Sequence, residues 1–140
     1  MTDCIFCKII AKEIPGHVLY EDDDVLVFLD ISQTTKGHTL IIPKVHRQDV
    51  FDMKPEEMER VFAVVPKIAQ ALKATFECSG LNLINNNGAS AGQTVFHYHV
   101  HLIPRYEDDR FRVKFPNNMN LYDGERLAAL KSEIMKNLEA

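Results

Sequence analysis

The sequence predicts an α+β domain in which a five-stranded antiparallel sheet carries helices on one face. Short runs of apolar and β-branched residues, separated by turn signals, fall at 18–20, 25–30, 39–43, 81–85 and 95–105. Between the third and fourth runs, residues 55–76 change to apolar positions three and four apart, the period of a helix packed on one side. The chain has 140 residues, 46% hydrophobic and 26% charged, which suits one domain spanning 1–140 with a sizeable core.

After Asp3, the spacing of Ile5, Phe6, Ile9 and Ile10 predicts a short helix that ends before Pro15-Gly16. Strands 18–20 and 25–30 meet across the acidic turn 21–24. In the second of them Leu26, Phe28 and Asp30 share a face, which sets a carboxylate at the end of an apolar run. Strand 39–43 is entered through Lys36-Gly37-His38. Pro55, Glu56 and Glu57 suit a first helical turn, because proline lacks only a donor that is unpaired there and acids favour the positive helix end. Met58, Val61, Phe62, Val65, Ile68, Leu72 and Phe76 then form a core stripe up to Ser79-Gly80. Pro66 lies inside it and predicts a kink rather than a break, since the periodicity resumes in phase. Loop 86–94 is small and polar, with glycines that let backbone amides approach a ligand. Beyond Arg105 an irregular segment of mixed charge leads to Asp123, a cap for a helix with Leu127, Leu130, Ile134 and Leu138 on one side.

A net charge of -4 without a basic run argues against nucleic acid as the main partner, while leaving room for a small anion held by local amides. No stretch is long and apolar enough to span a bilayer, and the first residues lack a basic region followed by an apolar run, so a cytoplasmic protein is expected. The cysteines number three. Cys4-x-x-Cys7 favours metal or redox chemistry over a disulfide framework, and Cys78, alone near a helix end, reads as inert.

The most informative stretch is His97-Tyr98-His99-Val100-His101-Leu102-Ile103. As a strand it presents imidazoles on one face and apolar groups on the other, with neighbouring histidines about 7 Å apart and the outer two about 13 Å apart. One metal ion, with bonds of about 2 Å, can take one or two of them but hardly all three, so they have separate tasks. A solvated strand face accounts for a lone histidine and a His-x-His chelate for a pair. The ungapped pattern His-φ-His-φ-His-φ-φ, with φ apolar, resembles the signature of the histidine triad (HIT) family of nucleotide-binding hydrolases and transferases. The resemblance covers nearly the whole chain and is to its small bacterial zinc-containing branch.

The resemblance implies a role for each matching position. His99 corresponds to the nucleophile, which forms a nucleotidyl-histidine intermediate, and its Nδ1 proton is expected to rest on a backbone carbonyl of the same strand so that Nε2 is bare. His101 corresponds to the residue that contacts the α-phosphate. His38 corresponds to the histidine that completes the site, although by itself it reads equally as a surface imidazole. Thr94 and Gln93 match the polar residues that touch phosphate or leaving group. Asn86 matches a further ligand contact, although an Asn-Asn-Asn-Gly stretch also suits an ordinary turn. Asp30 matches the acceptor of the ribose hydroxyls, an apt role for a two-oxygen acceptor. Ile5, Phe6, Ile9, Phe28 and Ile31 match the pocket for the base, with plain core packing as the alternative for each.

Cys4, Cys7, His46 and His97 make a second set, four N/S ligands as in a closed structural zinc site. Similarity to zinc-bearing bacterial members and to galactose-1-phosphate uridylyltransferases supports it. No organic cofactor is implied. The family further implies a homodimer in which the sheets of two protomers join, with the segment after Arg105 reaching the partner's site. The implied activity is hydrolysis of purine nucleoside phosphoramidates, as by an adenosine 5'-monophosphoramidase. Cys-x-x-Cys and Asp30-Ile31-Ser32-Gln33 resemble that branch, whereas Pro104-Arg105 is similar to the dinucleoside polyphosphate hydrolases. A nucleotide-binding regulatory module with incidental hydrolysis is a third reading.

Overall fold

In the computed structural model, which describes residues 3–138, the elements in order are α1 (Ile5–Ile10), β1 (Val18–Glu21), β2 (Val25–Leu29), β3 (Thr39–Pro43), α2 (Pro55–Ala63), α3 (Val65–Phe76), β4 (Gly80–Ile84), β5 (Val100–Arg105) and α4 (Gly124–Leu138). The strands form one antiparallel sheet in the order β1-β2-β3-β5-β4. No helix among the described residues is long and apolar enough to cross a membrane.

β2 and β3 are continuous apolar runs because both sheet faces are covered. On one face Val25, Val27, Ile41, Val100, Leu102 and Tyr98 pack with Val61, Val64, Ile68 and Leu72 from α2 and α3. These two helices are the expected layer. The opposite face carries Leu26, Phe28, Leu40 and Ile42, covered by Phe6 of α1 with Ile9 and Ile10 beside it. One helix therefore lies on the second face, where the expectation of helices on one face had placed none.

Two expectations of element length are corrected. The helix over 55–76 is two helices, α2 and α3, separated by Val64, which keeps right-handed helical dihedrals (φ -88°, ψ -12°). Pro66 has no N–H to return to Phe62, so the ladder lapses there while the buried stripe continues through Ile68 and Leu72. The last strand begins at Val100 rather than Val95. Its ladder with β3 runs through Thr39↔Leu102, Leu40↔His101 and Ile41↔Val100. Beyond that, Pro43 has no N–H to give, and the Tyr98 N–H turns instead to the Arg47 carbonyl at 2.6 Å. The alternation survives off the ladder, with Tyr98 buried among the helices and His97 and His99 against Phe6 on the other face.

Asp123 caps α4 by accepting from the Arg126 N–H at 2.9 Å. Among the described residues of α4 none is buried: on its apolar side Leu127 is 54% exposed and Ile134 60%.

Candidate active site

The centre of the site is His99, which is 5% exposed. Its Nδ1 lies 2.7 Å from the carbonyl oxygen of His97. A carbonyl only accepts, so the proton sits on Nδ1 and Nε2 carries the lone pair. Asn85 Nδ2 donates to the His99 carbonyl at 2.8 Å and fixes the backbone of the same residue. Burial pushes the His99 imidazole below its ordinary range, which the His97 carbonyl and Asp30 only partly offset, so the ring is neutral at pH 7.

His38 and His101 form a proton-ordered pair. The Thr34 N–H donates to His38 Nδ1 at 3.2 Å, so His38 is protonated on Nε2. That Nε2 is 2.9 Å from His101 Nδ1, which must accept, leaving the His101 proton on Nε2. Burial, with His99 and His38 adding to it, pushes His101 down to about 4. Burial likewise lowers His38. The rings of His99 and His101 lie 5.0 Å apart, edge to face.

Asp30, just past β2, turns Oδ2 to within 3.7 Å of His38 Nε2, and its Oδ1 accepts from the backbone and hydroxyl of Ser32 at 2.8 and 2.6 Å. Burial raises its pKa, but the Ser32 bonds and the imidazoles outweigh this and hold it below the usual carboxylate value. The loop from Asp30 to His38 is laced by Gln33. Its Nε2 donates to the carbonyls of Asp30 (2.6 Å) and His38 (2.8 Å), and its Oε1 accepts from the Gly37 N–H (2.8 Å). Gly37 has φ +95°, and a Cβ there would sit 3.0 Å from the Phe76 ring and 3.2 Å from Pro104, so only glycine lets the loop lie this close to the core.

An apolar cavity of about 510 Å³ opens beside Asp30, lined by Ile5, Phe6, Ile9, Phe28, Leu40, Val95 and Ile31. The five residues expected around a base are thus brought together with the carboxylate expected to meet a ribose. The exposed Ile31, at 89%, stands at the rim. His17, which sequence reasoning passed over, is the other polar residue on this wall. A second cavity of about 610 Å³, lined by Cys4, His46 and Phe96, adjoins the first at Ile5 and Val95. Thr94 lines this second cavity. Asn86 is half-buried, with its side-chain amide beside Gly92. Gln93 is a loop brace: its amide hydrogens go to the carbonyls of Gln48 (2.7 Å) and Val95 (3.0 Å), and its oxygen accepts from Gly88 (2.8 Å). No donor of that amide is left for a phosphate, a departure from the expected contact.

Cys4, Cys7, His46 and His97 also converge, with one donor atom from each within 4.8 Å of the others. Cys4 caps α1, so the Cys-x-x-Cys pair sits on the first turn of the helix that walls the apolar cavity. Glu57 in α2 pairs bidentately with Arg47 at 2.9 and 2.8 Å, which holds the loop that brings His46 to His97. His97 is fully buried, and its Nε2 donates to the Pro43 carbonyl at 2.8 Å, leaving Nδ1 bare. That Nδ1 is 3.4 Å from Cys4 Sγ and 3.6 Å from Cys7 Sγ, and His46 Nδ1 is 3.3 Å from Cys7 Sγ. A tetrahedral zinc ion with ordinary bond lengths requires N···S edges of about 3.6 Å, so the donors fit such an ion. Burial, together with Cys4 beside it, raises the Cys7 thiol to about 11.

A buried imidazole with a bare Nε2 just ahead of β5, a second imidazole that keeps its proton on Nε2, and an apolar cavity with one carboxylate make up the site. The HIT domain family model matches residues 11–108, and the chain belongs to the HIT family, whose members bind or hydrolyse nucleotides. It is 52% identical over 137 residues to protein hit of Bacillus subtilis, covering 97% of this chain and 94% of that protein. It superposes with TM-score 0.93 on a HIT family protein from Bacillus anthracis, 56% identical and with 96% of both chains covered. A zinc-bound histidine triad family protein from Mycobacterium smegmatis is 37% identical, with TM-score 0.75 over 94% of this chain and 98% of that one. Adenylylsulfatase HINT3 of Arabidopsis thaliana is 45% identical over 108 residues, 77% of this chain and 55% of that protein.

Proposed function

We propose that this protein hydrolyses purine nucleoside 5'-phosphoramidates through a nucleotidyl intermediate on His99. The observation that carries the reading is the 2.7 Å bond from His99 Nδ1 to the His97 carbonyl, which leaves a neutral, bare Nε2 ready to attack. Nε2 forms a bond to the α-phosphorus while the P–N bond to the amine breaks, and the departing amine takes a proton from solvent. His101 Nε2–H is the donor aimed at the phosphate, and His38 keeps it in that tautomer. Water then attacks phosphorus and gives one proton to solvent, the P–N bond to His99 breaks to restore the neutral imidazole, and the nucleotide leaves. Asp30 receives the ribose hydroxyls, and Ile5, Phe6, Ile9, Phe28 and Ile31 enclose the base. Thr94 and Asn86 meet the phosphate from the 86–94 loop, which Gln93 braces.

Arg105 supports this over dinucleoside polyphosphates. Its guanidinium is spent on Asp109 (2.9 Å), Asn82 (2.7 Å) and the Phe111 carbonyl (2.5 Å), so Pro104-Arg105 offers no extra cation to a long polyphosphate. The adenylylsulfatase among its relatives makes adenylyl sulfate the mixed anhydride to compare. Adenosine and guanosine phosphoramidates, dinucleoside polyphosphates, adenylyl sulfate and sugar nucleotides, assayed alike, test the reading through kcat/KM. A phosphoramidate preference is expected, and turnover of none of them would leave a nucleotide-binding module.

The N/S edges support one structural zinc held by Cys4, Cys7, His46 and His97; bound there it ties α1 to the triad segment. Reduced cysteines used as ligands suit a cytoplasmic setting. The uncovered apolar side of α4 and the outer edge of β4, with Leu83 46% exposed, support a symmetric homodimer. In that assembly the segment after Arg105 extends toward the partner's site. A nucleic acid or a membrane has no place in this reading.

A further inference from the structure

The two oxygens of Asp30 have different surroundings. Oδ1 is spent on Ser32, accepting from its backbone N–H at 2.8 Å and its hydroxyl at 2.6 Å. Oδ2 accepts no hydrogen bond from the described residues, and the donor it approaches is His38 Nε2–H, at 3.7 Å. That distance is too long for a hydrogen bond but short for a charge, in a carboxylate whose side chain is only 19% exposed. The proton concerned is the one that His38 gives to His101 Nδ1 at 2.9 Å. Neither residue can drift from the other. The Asp30 N–H donates to the His38 carbonyl at 3.0 Å, and Gln33 Nε2 donates to both backbone carbonyls, at 2.6 and 2.8 Å. Burial lowers the His38 imidazole and the charge of Asp30 opposes this, so the carboxylate already acts on the ring.

We infer that Asp30 is a positioning residue that reports ribose occupancy to the His38–His101 pair. With Oδ2 unpartnered, the carboxylate draws on the His38 Nε2 proton in competition with His101 Nδ1. A ribose hydroxyl that donates to Oδ2 satisfies it and releases the proton to His101. The His38–His101 bond then strengthens, and His101 keeps its own proton on Nε2, the nitrogen proposed to meet the phosphate. The sugar's hydroxyls are therefore read in kcat as well as in KM, which biases turnover toward ribonucleotides over their deoxy counterparts. The inference rests on the proposed ribose contact of Asp30 but not on the leaving group.

The test uses the full chain labelled with 15N in its histidine rings and two probes that lack phosphate, adenosine and 2',3'-dideoxyadenosine. At saturation, adenosine should increase the nitrogen-to-nitrogen coupling across the bond from His38 Nε2–H to His101 Nδ1. Dideoxyadenosine should leave that coupling as in the free protein. In Asp30→Asn, which keeps an acceptor for Ser32 and presents no charge to His38, bound adenosine should have no such effect. In parallel, kcat for a ribonucleoside phosphoramidate should exceed that for its 2',3'-dideoxy counterpart at least about fivefold in the natural chain, and less than about twofold in Asp30→Asn. If Asp30→Asn does not fold, the two nucleosides on the natural chain decide alone. Equal couplings with both nucleosides overturn the inference, and so does a kcat ratio that Asp30→Asn leaves unchanged, which marks the diol as an anchor only. A chain that turns over no phosphoramidate fails the preceding reading of the activity while the nucleoside comparison still stands. One that binds neither nucleoside fails the ribose contact, and the inference with it.

Discussion

The Nε2–H of His38 donates to Nδ1 of His101 across 2.9 Å, and this bond leaves the proton of His101 on its Nε2. Thr34 enforces it from behind by donating to His38 Nδ1. Replacing His38 with Ala leaves His101 free to hold its proton on either nitrogen, and kcat is expected to fall about 10–100-fold. His38→Asn, whose amide can still donate to His101, should recover part of that loss. Steady-state kinetics of the two variants, with equal nucleotide affinity by calorimetry, checks this.

His99→Ala should remove turnover, by more than about a thousandfold in kcat, and leave nucleotide affinity within a few-fold, because the nucleophile acts on the reacting bond. Rapid quench of the natural enzyme with a slow substrate should trap a nucleotidyl adduct on His99. Single turnovers that accumulate no adduct would point to direct attack by water.

Acid should inactivate late and destabilise early. His101 is held at about 4 by burial, and burial depresses His38 and His99 from 6.5, so the acid limb of kcat/KM should fall below the ordinary imidazole range. For stability the sign runs the other way from a salt-bridged histidine. Below pH 6.5 the unfolded chain binds a proton that folded His101 refuses, so stability is full above 6.5 and declines toward about 4. For His101 the loss is at most about 1.4 kcal/mol per pH unit within that window, and the depressed His38 and His99 add to it in the same direction. Urea melts at pH 7, 6 and 5 measure the slope; a flat profile would show the rings protonating freely in the fold.

Elemental analysis of protein purified without added metal should find about one zinc per chain. Chelation should lower Tm, because binding to the folded form alone is folding energy. Zinc well below stoichiometric, with Tm indifferent to chelation, would return Cys4 and Cys7 to ordinary helix-end residues.

Light scattering at micromolar concentration should give a dimer mass. Leu130→Glu with Ile134→Glu, both on the exposed side of α4, should shift the mass toward the monomer if that helix lies in the interface. Truncation after Pro116 should alter relative rates across the substrate panel if the tail meets the partner's site. Unchanged ratios in a dimeric truncate would remove the tail from specificity.

Periodicity alone determined the sheet, the stripe of α2 and α3, the cap of α4 and the alternation at 97–103, because burial against a layer is a local rule with a readable period. The histidine alternation and the Cys-x-x-Cys pair were legible because they are short and chemically distinct, whereas Asp30 and His38 were singled out by the resemblance to the family. Tertiary structure decided what has no period. That β5 begins at Val100 depended on the missing N–H of Pro43, a residue in another strand. The break at Val64 turned on one absent hydrogen bond in a stripe whose phase was intact. Gln33, Asn85 and the Arg47-Glu57 pair escaped the sequence because their work lies in hydrogen bonds to backbone atoms and loops that only the fold brings near. Gln93 shows the converse, a polar residue beside the site whose donors the fold consumes elsewhere. Which nitrogen of each histidine carries its proton is likewise tertiary, since Pro43, Thr34 and His97 supply the partners that fix it.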